Sequence, residues 1–200
     1  KASSSRWAQG GIASVVRSDD SFDLHIQDTL TAGDGLCDLD AVEMLVKEAP
    51  GCVENLQTLG MTFDMHYDQL STTLEAAHSR RRVLHVKDRT GRALVEVLEE
   101  HIERKKNILH CRGVRVTELL IEDNICRGVQ VLDGSNLYWI TSKAVVLATG
   151  GGGHLFTNTT NPSQSAGEGI SLAWKAGALI QDLEFIQFHP TALKFYGAPC

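Results

Sequence analysis

The sequence predicts an α/β fold that carries a small antiparallel insert. Three observations predict it. The first half of the 200-residue chain reads as amphipathic helices, residues 108–141 read as short alternating strands, and residues 144–188 read as strand, glycine turn, helix and strand. With 42% apolar residues the chain can bury a core, and its length fits one large domain or parts of two.

The elements follow in order. Ser18-Asp19-Asp20-Ser21 supplies caps for a first helix whose Phe22, His25, Ile26, Thr29 and Leu30 share a face, and "GDGLCD" (33–38) breaks it. From Asp40 to about Leu59, Ala41, Val42, Leu45, Val46 and Ala49 predict a helix; Pro50-Gly51 interrupts it and a second helix runs to Gly60. Thr90 is predicted to cap a helix through Lys106, with Ala93, Leu94, Val97, Leu98 and Ile102 inward and Glu96, Glu99, Glu100, Glu103, Arg104 and Lys105 outward. Ile108–Cys111, Arg115–Ile121, Cys126–Leu132 and Leu137–Thr141 predict a meander with turns at Glu122-Asp123-Asn124 and Asp133-Gly134-Ser135. Ala144–Thr149, small and branched, predicts a strand buried on both faces, as in a parallel sheet. A helix over Gly167–Ala178 and a strand over Leu183–Phe188 complete the pattern.

The net charge of −6 disfavours a nucleic-acid partner. "HSRRRVLHVKDRTGR" (78–92) runs against that average and reads either as a phosphate or carboxylate clamp or as solvated arginines. Cys37, Cys52, Cys111, Cys126 and Cys200 form no C-x-x-C pair and read as reduced thiols of a cytoplasmic protein. No apolar run approaches the roughly 18 residues of a membrane span, so no membrane partner is expected, and no metal site is indicated. The chain opens without Met and stops at "FYGAPC", which reads as an interior piece of a longer protein.

"AVVLATGGGG" (144–153) leaves its strand through four glycines. A turn without side chains lets backbone N–H groups approach a ligand, and it is equally the form of a tight turn with no ligand. A complete G-x-G-x-x-G is absent, because "GDGLCD" and "GEGISL" each lack the third glycine.

Three stretches together are more specific: "SSSRWAQGGIA" (3–13), "TTLEAAHSRRRVLH" (72–85) and "VVLATGGGGHLFTNTTNPSQSAGEGISLAW" with "LEFIQFHPTAL" (145–193). Their order and spacing resemble the succinate dehydrogenase and fumarate reductase flavoprotein superfamily, and within it the aspartate oxidases, over essentially the whole chain. The resemblance implies an FAD-binding Rossmann-like domain whose first βαβ unit precedes Lys1, with residues 1–182 in that domain and 183–200 opening a substrate-capping domain. It implies oxidation of L-aspartate to iminoaspartate, with electrons passing to O2 or fumarate. This is the first step of de novo NAD synthesis, and quinolinate synthase uses the product. The alternative is a fumarate reductase or succinate dehydrogenase flavoprotein.

The resemblance also implies roles for residues. Ser4, Ser5, Arg6, Trp7, Ala8, Gln9, Gly10 and Gly11 would lie along FAD, and Ala148, Thr149, Gly150 and Gly151 would form a second contact. Glu168, in "GEG" where the family has "GDG", would reach the flavin's sugar chain. His189 and Thr191 of "FHPTAL" would bind a substrate carboxylate, although a lone histidine outside such a motif is more often structural. Glu75 would pair with the substrate ammonium, and reads alternatively as a first-turn helix acid. His78, Arg80, Arg81 and His85 could line the same region without assigned roles. The reductases carry a flavin-linking histidine before "A-x-GG"; Ser3, Ser4, Ser5 and Arg6 stand here instead, which implies non-covalent FAD. The family's catalytic arginine would lie beyond residue 200, so the chain alone is expected to be inactive.

Overall fold

A computed structural model describes residues 3–188, in two units: Ser5–Ile108, and residues 3–4 with 109–188. Helix α1 (Ser4–Trp7) is a single turn, followed by strand β1 (Ile12–Ala13). In the Ser5–Ile108 unit, α2 (Phe22–Ala32) starts where the caps predicted: Ser21 Oγ accepts the Leu24 N–H at 3.2 Å. Asp38 caps α3 (Leu39–Thr58) by accepting the Ala41 N–H at 2.9 Å.

The break expected at Pro50-Gly51 is absent, and α3 runs through both residues. An interior proline costs a helix about 3 kcal/mol. Here Val42, Val46 and Val53 continue one buried stripe across the proline, and that shared face keeps the two halves in line. Helix α4 (Thr90–Glu103) also departs from expectation. Arg89 precedes it without a side-chain cap, the Thr90 hydroxyl accepts the Val86 N–H at 3.0 Å instead, and the helix stops short of Lys106.

Between α3 and α4 lie strands too short to show alternation in the sequence: β2 (Met65–His66), β3 (Gln69–Leu70), β4 (Thr72–Thr73) and β5 (Val83–Leu84). Strands β2 and β3 form a hairpin, and β1, β5 and β4 form an antiparallel sheet with β5 central. Leu84 lies opposite both Ile12 and Thr72. Its side chain enters the core with Val53, Met61 and Phe63, and Ile12, Val16, Leu56, Ala93, Leu94 and Val97 pack around them.

In the second unit three of the four strands predicted for the meander form, as β6 (Arg115–Glu122), β7 (Ile125–Asp133) and β8 (Asn136–Thr141). Asp123 and Asn124 both take positive φ, 50° and 60°, as a two-residue hairpin turn matched to strand twist requires. Helix α5 (Glu168–Lys175) is shorter than expected, bounded by Gly167 and Gly177 in the left-handed region.

Three predicted strands are not formed. Ile108–Cys111 and Leu183–Phe188 have no strand pairing. Ala144–Thr149 is irregular and largely exposed, with Val146 at 88%. A strand covered on both faces needs hydrogen-bonded neighbours and flanking layers, and no segment among the described residues pairs with this run. Cys37, Cys52, Cys111 and Cys126 are free thiols, and no helix of the described residues is long and apolar enough to cross a membrane.

Candidate functional site

The segment expected along the cofactor is anchored by its own side chains. Arg6 Nη2 donates to Glu96 of α4 at 2.9 Å and its Nη1 reaches Glu99 at 3.4 Å, so this arginine is engaged by helix carboxylates. The Ala8 carbonyl accepts the Gly91 N–H at 3.0 Å. A Cβ on Gly91 would overlap the Ser5 carbonyl oxygen and come within 2.7 Å of Ala8 Cβ. Only a glycine at the start of α4 admits this segment. Gly11 serves the protein in the same way, because a Cβ there would overlap the Leu84 carbonyl and lie 2.9 Å from His85 Cε1. Ser5, Trp7, Ala8, Gln9 and Gly10 are exposed, and a Cβ on Gly10 would meet nothing within 4 Å.

In the other unit, Ser4 Oγ shares a 2.8 Å hydrogen bond with Ser165 Oγ and donates to Asn161 Oδ1 at 3.2 Å. Ala148, Thr149, Gly150 and Gly151 are exposed. Gly150 sits at φ 72°, and neither it nor Gly151 has an atom within 4 Å of a Cβ position. The Gly151 carbonyl accepts the Gly167 N–H at 3.3 Å, which ties the turn to the start of α5. Glu168, expected on the flavin's sugar, is ion-paired with Arg115 Nη2 at 2.5 Å. That pairing has a local cause: α5 packs on β6 and brings the first acid of the helix beside a strand-end guanidinium. His189 and Thr191 lie outside the described residues.

Glu75 lines a cleft of about 480 Å3 in the Ser5–Ile108 unit, with Asp64, Ser71, Thr73, Leu74, His85 and Lys87. It belongs to no helix, which removes the reading of a first-turn helix acid. Its Oε1 lies 3.3 Å from His85 Nε2, and the same nitrogen is 2.5 Å from Thr73 Oγ1. Antiparallel pairing sets this up. With Leu84 turned into the core, His85 emerges on the opposite face, diagonal to Thr73 across β4 and β5. Asp64 fixes the rim: its N–H donates to the His85 carbonyl at 2.8 Å and its Oδ2 accepts the Lys87 N–H at 2.7 Å.

The arginine-rich stretch resolves into members with different fates. Arg82 is fully buried and acts as a clamp on the protein's own carboxylates. Its Nε and Nη2 donate to the two oxygens of Asp20, each at 2.8 Å, and Nη1 donates to Asp28 Oδ2 at 2.6 Å and to His78 Nδ1 at 3.2 Å. Ser79 adds its N–H and hydroxyl to Asp28, each at 2.8 Å. Burial pushes both carboxyls up, but the Arg82 guanidinium with the Ser21 N–H at Asp20, and the Ser79 groups with Arg82 at Asp28, hold them below the ordinary carboxylate value. Asp20 in turn raises Arg82. His25, 5.6 Å from the His78 ring, is pushed down by burial and then by Arg82 and His78. Arg80 donates to the Asp19 and Ser79 carbonyls and Arg81 is exposed, so of the four residues left without roles only His85 reaches the cleft.

At Gly10 in the one unit, and separately at Gly150 and Gly151 in the other, the backbone is open, with no Cβ to hold a phosphate or a ring away from the amide edge. The chain matches the FAD binding domain family over residues 1–197, and it belongs to that family. Among its relatives, the L-aspartate oxidase of Nostoc sp. is 50% identical over 98% of this chain and 34% of its own length. That of Synechocystis sp. is 48% identical over 100% of this chain and 36% of its own. Among solved structures, an Escherichia coli quinol fumarate reductase superposes with a TM-score of 0.93 at 30% identity, over 98% of this chain and 34% of that one. The chain thus spans about a third of the length of the proteins it matches. FAD is the cofactor that family and relatives indicate.

Proposed function

We propose that this chain is the FAD-binding part of an enzyme that oxidises L-aspartate to iminoaspartate, with O2 or fumarate as electron acceptor and quinolinate synthase as the consumer of the product. The observation that carries this reading is the 50% identity, along nearly the whole chain, to a protein named L-aspartate oxidase, against 30% to a quinol fumarate reductase. The substrate loses two electrons and two protons across its Cα–N bond. FAD supplies the redox chemistry when bound.

The chain's own residues bind and orient. Ser4, Ser5, the exposed residues Trp7, Ala8, Gln9 and Gly10, and the adjoining Gly11 face one stretch of the dinucleotide, with Arg6 holding the segment to α4 rather than touching the cofactor. Ala148–Gly151 face another. Glu168 approaches the sugar chain only by releasing Arg115. The FAD-binding domain is proposed to run to about residue 182, where the capping domain opens, with His189 and Thr191 on a substrate carboxylate. Glu75 takes the substrate ammonium: an acid half-exposed in a cleft, with one oxygen toward His85, has its other oxygen available. Binding of FAD is proposed to be non-covalent and the site of action cytoplasmic.

The test is Glu75→Gln in the FAD-loaded protein. Loss of a charged hydrogen bond, on the order of 1.5–3 kcal/mol, should weaken L-aspartate roughly ten- to hundredfold and leave succinate within twofold. Equal losses for both ligands would remove Glu75 from recognition. The fumarate reductase reading makes a different forecast: flavin stays on the polypeptide after acid precipitation, whereas non-covalent FAD passes into the supernatant.

A further inference from the structure

We infer that His85 is a positioning residue whose protonated Nε2, 3.3 Å from Glu75 Oε1, orients the Glu75 carboxylate for an amine-bearing dicarboxylate. The inference rests on the recognition role proposed above for Glu75. An ionised carboxylate only accepts hydrogen bonds, so a favourable 3.3 Å contact from His85 Nε2 to Glu75 Oε1 requires a proton on that nitrogen. Thr73 Oγ1, 2.5 Å away, then accepts that N–H and can turn its own proton elsewhere, while the carboxylate lies beside the same edge of the ring.

The ring is held on its other edge as well. Its Cε1 occupies the space that a Cβ on Gly11 would need, so the backbone next to Gly10 fixes how far the imidazole can swing. His85 is 17% exposed at its side chain and Glu75 is 48% exposed. A constrained donor therefore faces a carboxylate that solvent alone would leave free to rotate. One Glu75 oxygen is committed to His85 and the other is presented to the cleft. The remaining charged groups around the cleft are Asp64, whose Oδ2 is tied to the Lys87 N–H, and Lys87 itself. Neither forms a hydrogen bond or ion pair with Glu75 that would substitute for the imidazole.

His85→Phe keeps a flat ring in the space under Gly11 and deletes the N–H; His85→Gln keeps an N–H donor at nearly the same reach. Binding of L-aspartate and of succinate to the FAD-loaded protein is measured by calorimetry for both variants and for Glu75→Gln. The expected result is that His85→Phe weakens L-aspartate roughly fivefold and succinate less than twofold, while His85→Gln stays within about twofold of wild type for both. Loss of both ligands in parallel, or a Gln variant as weak as the Phe variant, overturns the inference. If Glu75→Gln fails to discriminate the two ligands, the recognition reading falls and takes this inference with it. If Glu75→Gln discriminates and His85→Phe does not, only the role of His85 falls. Nitrogen chemical shifts of the wild-type ring give a readout independent of any variant: Nε2 must appear protonated, and a bare Nε2 accepting from Thr73 overturns the inference.

Discussion

Replacing Arg82 by Met separates the buried clamp from every other arginine in the chain. The side chain is 0% exposed and makes three donor contacts to carboxylate oxygens, two on fully buried Asp20 and one on Asp28, which is 15% exposed. Methionine fills most of the volume but leaves both acids without their cation. Breaking a buried pair from one side costs about 3–5 kcal/mol, against a domain stability of roughly 5–15 kcal/mol. Arg82→Lys keeps the charge but loses the bidentate grip on Asp20, so it should cost roughly half as much. Urea denaturation of wild type and both variants measures this at pH 7 and again near pH 4. In the wild type, Asp20 and Asp28 are held low, so their stabilisation is present above the unfolded carboxylate value of about 3.9 and is lost as pH falls through their folded values. In Arg82→Met the stranded acids relieve their penalty by taking up protons. The gap between variant and wild type should therefore narrow on acidification. A cost below about 1 kcal/mol at pH 7, or a gap that does not change with pH, would refute the clamp.

Gly91→Ala sets two effects against each other. Helix propensity favours alanine by about 1 kcal/mol, but its Cβ would overlap the Ser5 carbonyl and crowd Ala8, at an overpacking cost of about 1–3 kcal/mol. Net destabilisation with weaker FAD binding by fluorescence titration is expected; a more stable protein with unchanged FAD affinity would show that the segment does not depend on this contact. For His25, burial lowers the folded value below the unfolded one. The unfolded chain then binds the proton first, so stability should decline as pH falls from about 6.5 toward the folded value, and His25→Phe should flatten that slope in a pH series of urea melts.

Much of the fold was legible where the cause of structure is local. Ser21 stands next to the helix it caps, and Asp123-Asn124 turns the hairpin it joins, so a short window of sequence contains the whole argument. Ala144–Thr149 shows the limit of such a window: apolar content states what a strand would bury, whereas pairing partners decide whether a strand exists. The two-residue strands β1, β4 and β5 are illegible for the opposite reason, since no alternation fits in two residues; yet they place Glu75 and His85 in one cleft by pairing segments that the sequence holds apart. The same holds for the arginines. Nothing in "RRR" distinguishes its last member, because what buries Arg82 is a pair of aspartates 62 and 54 residues away that return to it through α2. A run of like charges thus cannot be sorted by its own composition: the member that faces inward is the one for which the fold delivers enough acceptors to replace water, and those acceptors are chosen by chain topology.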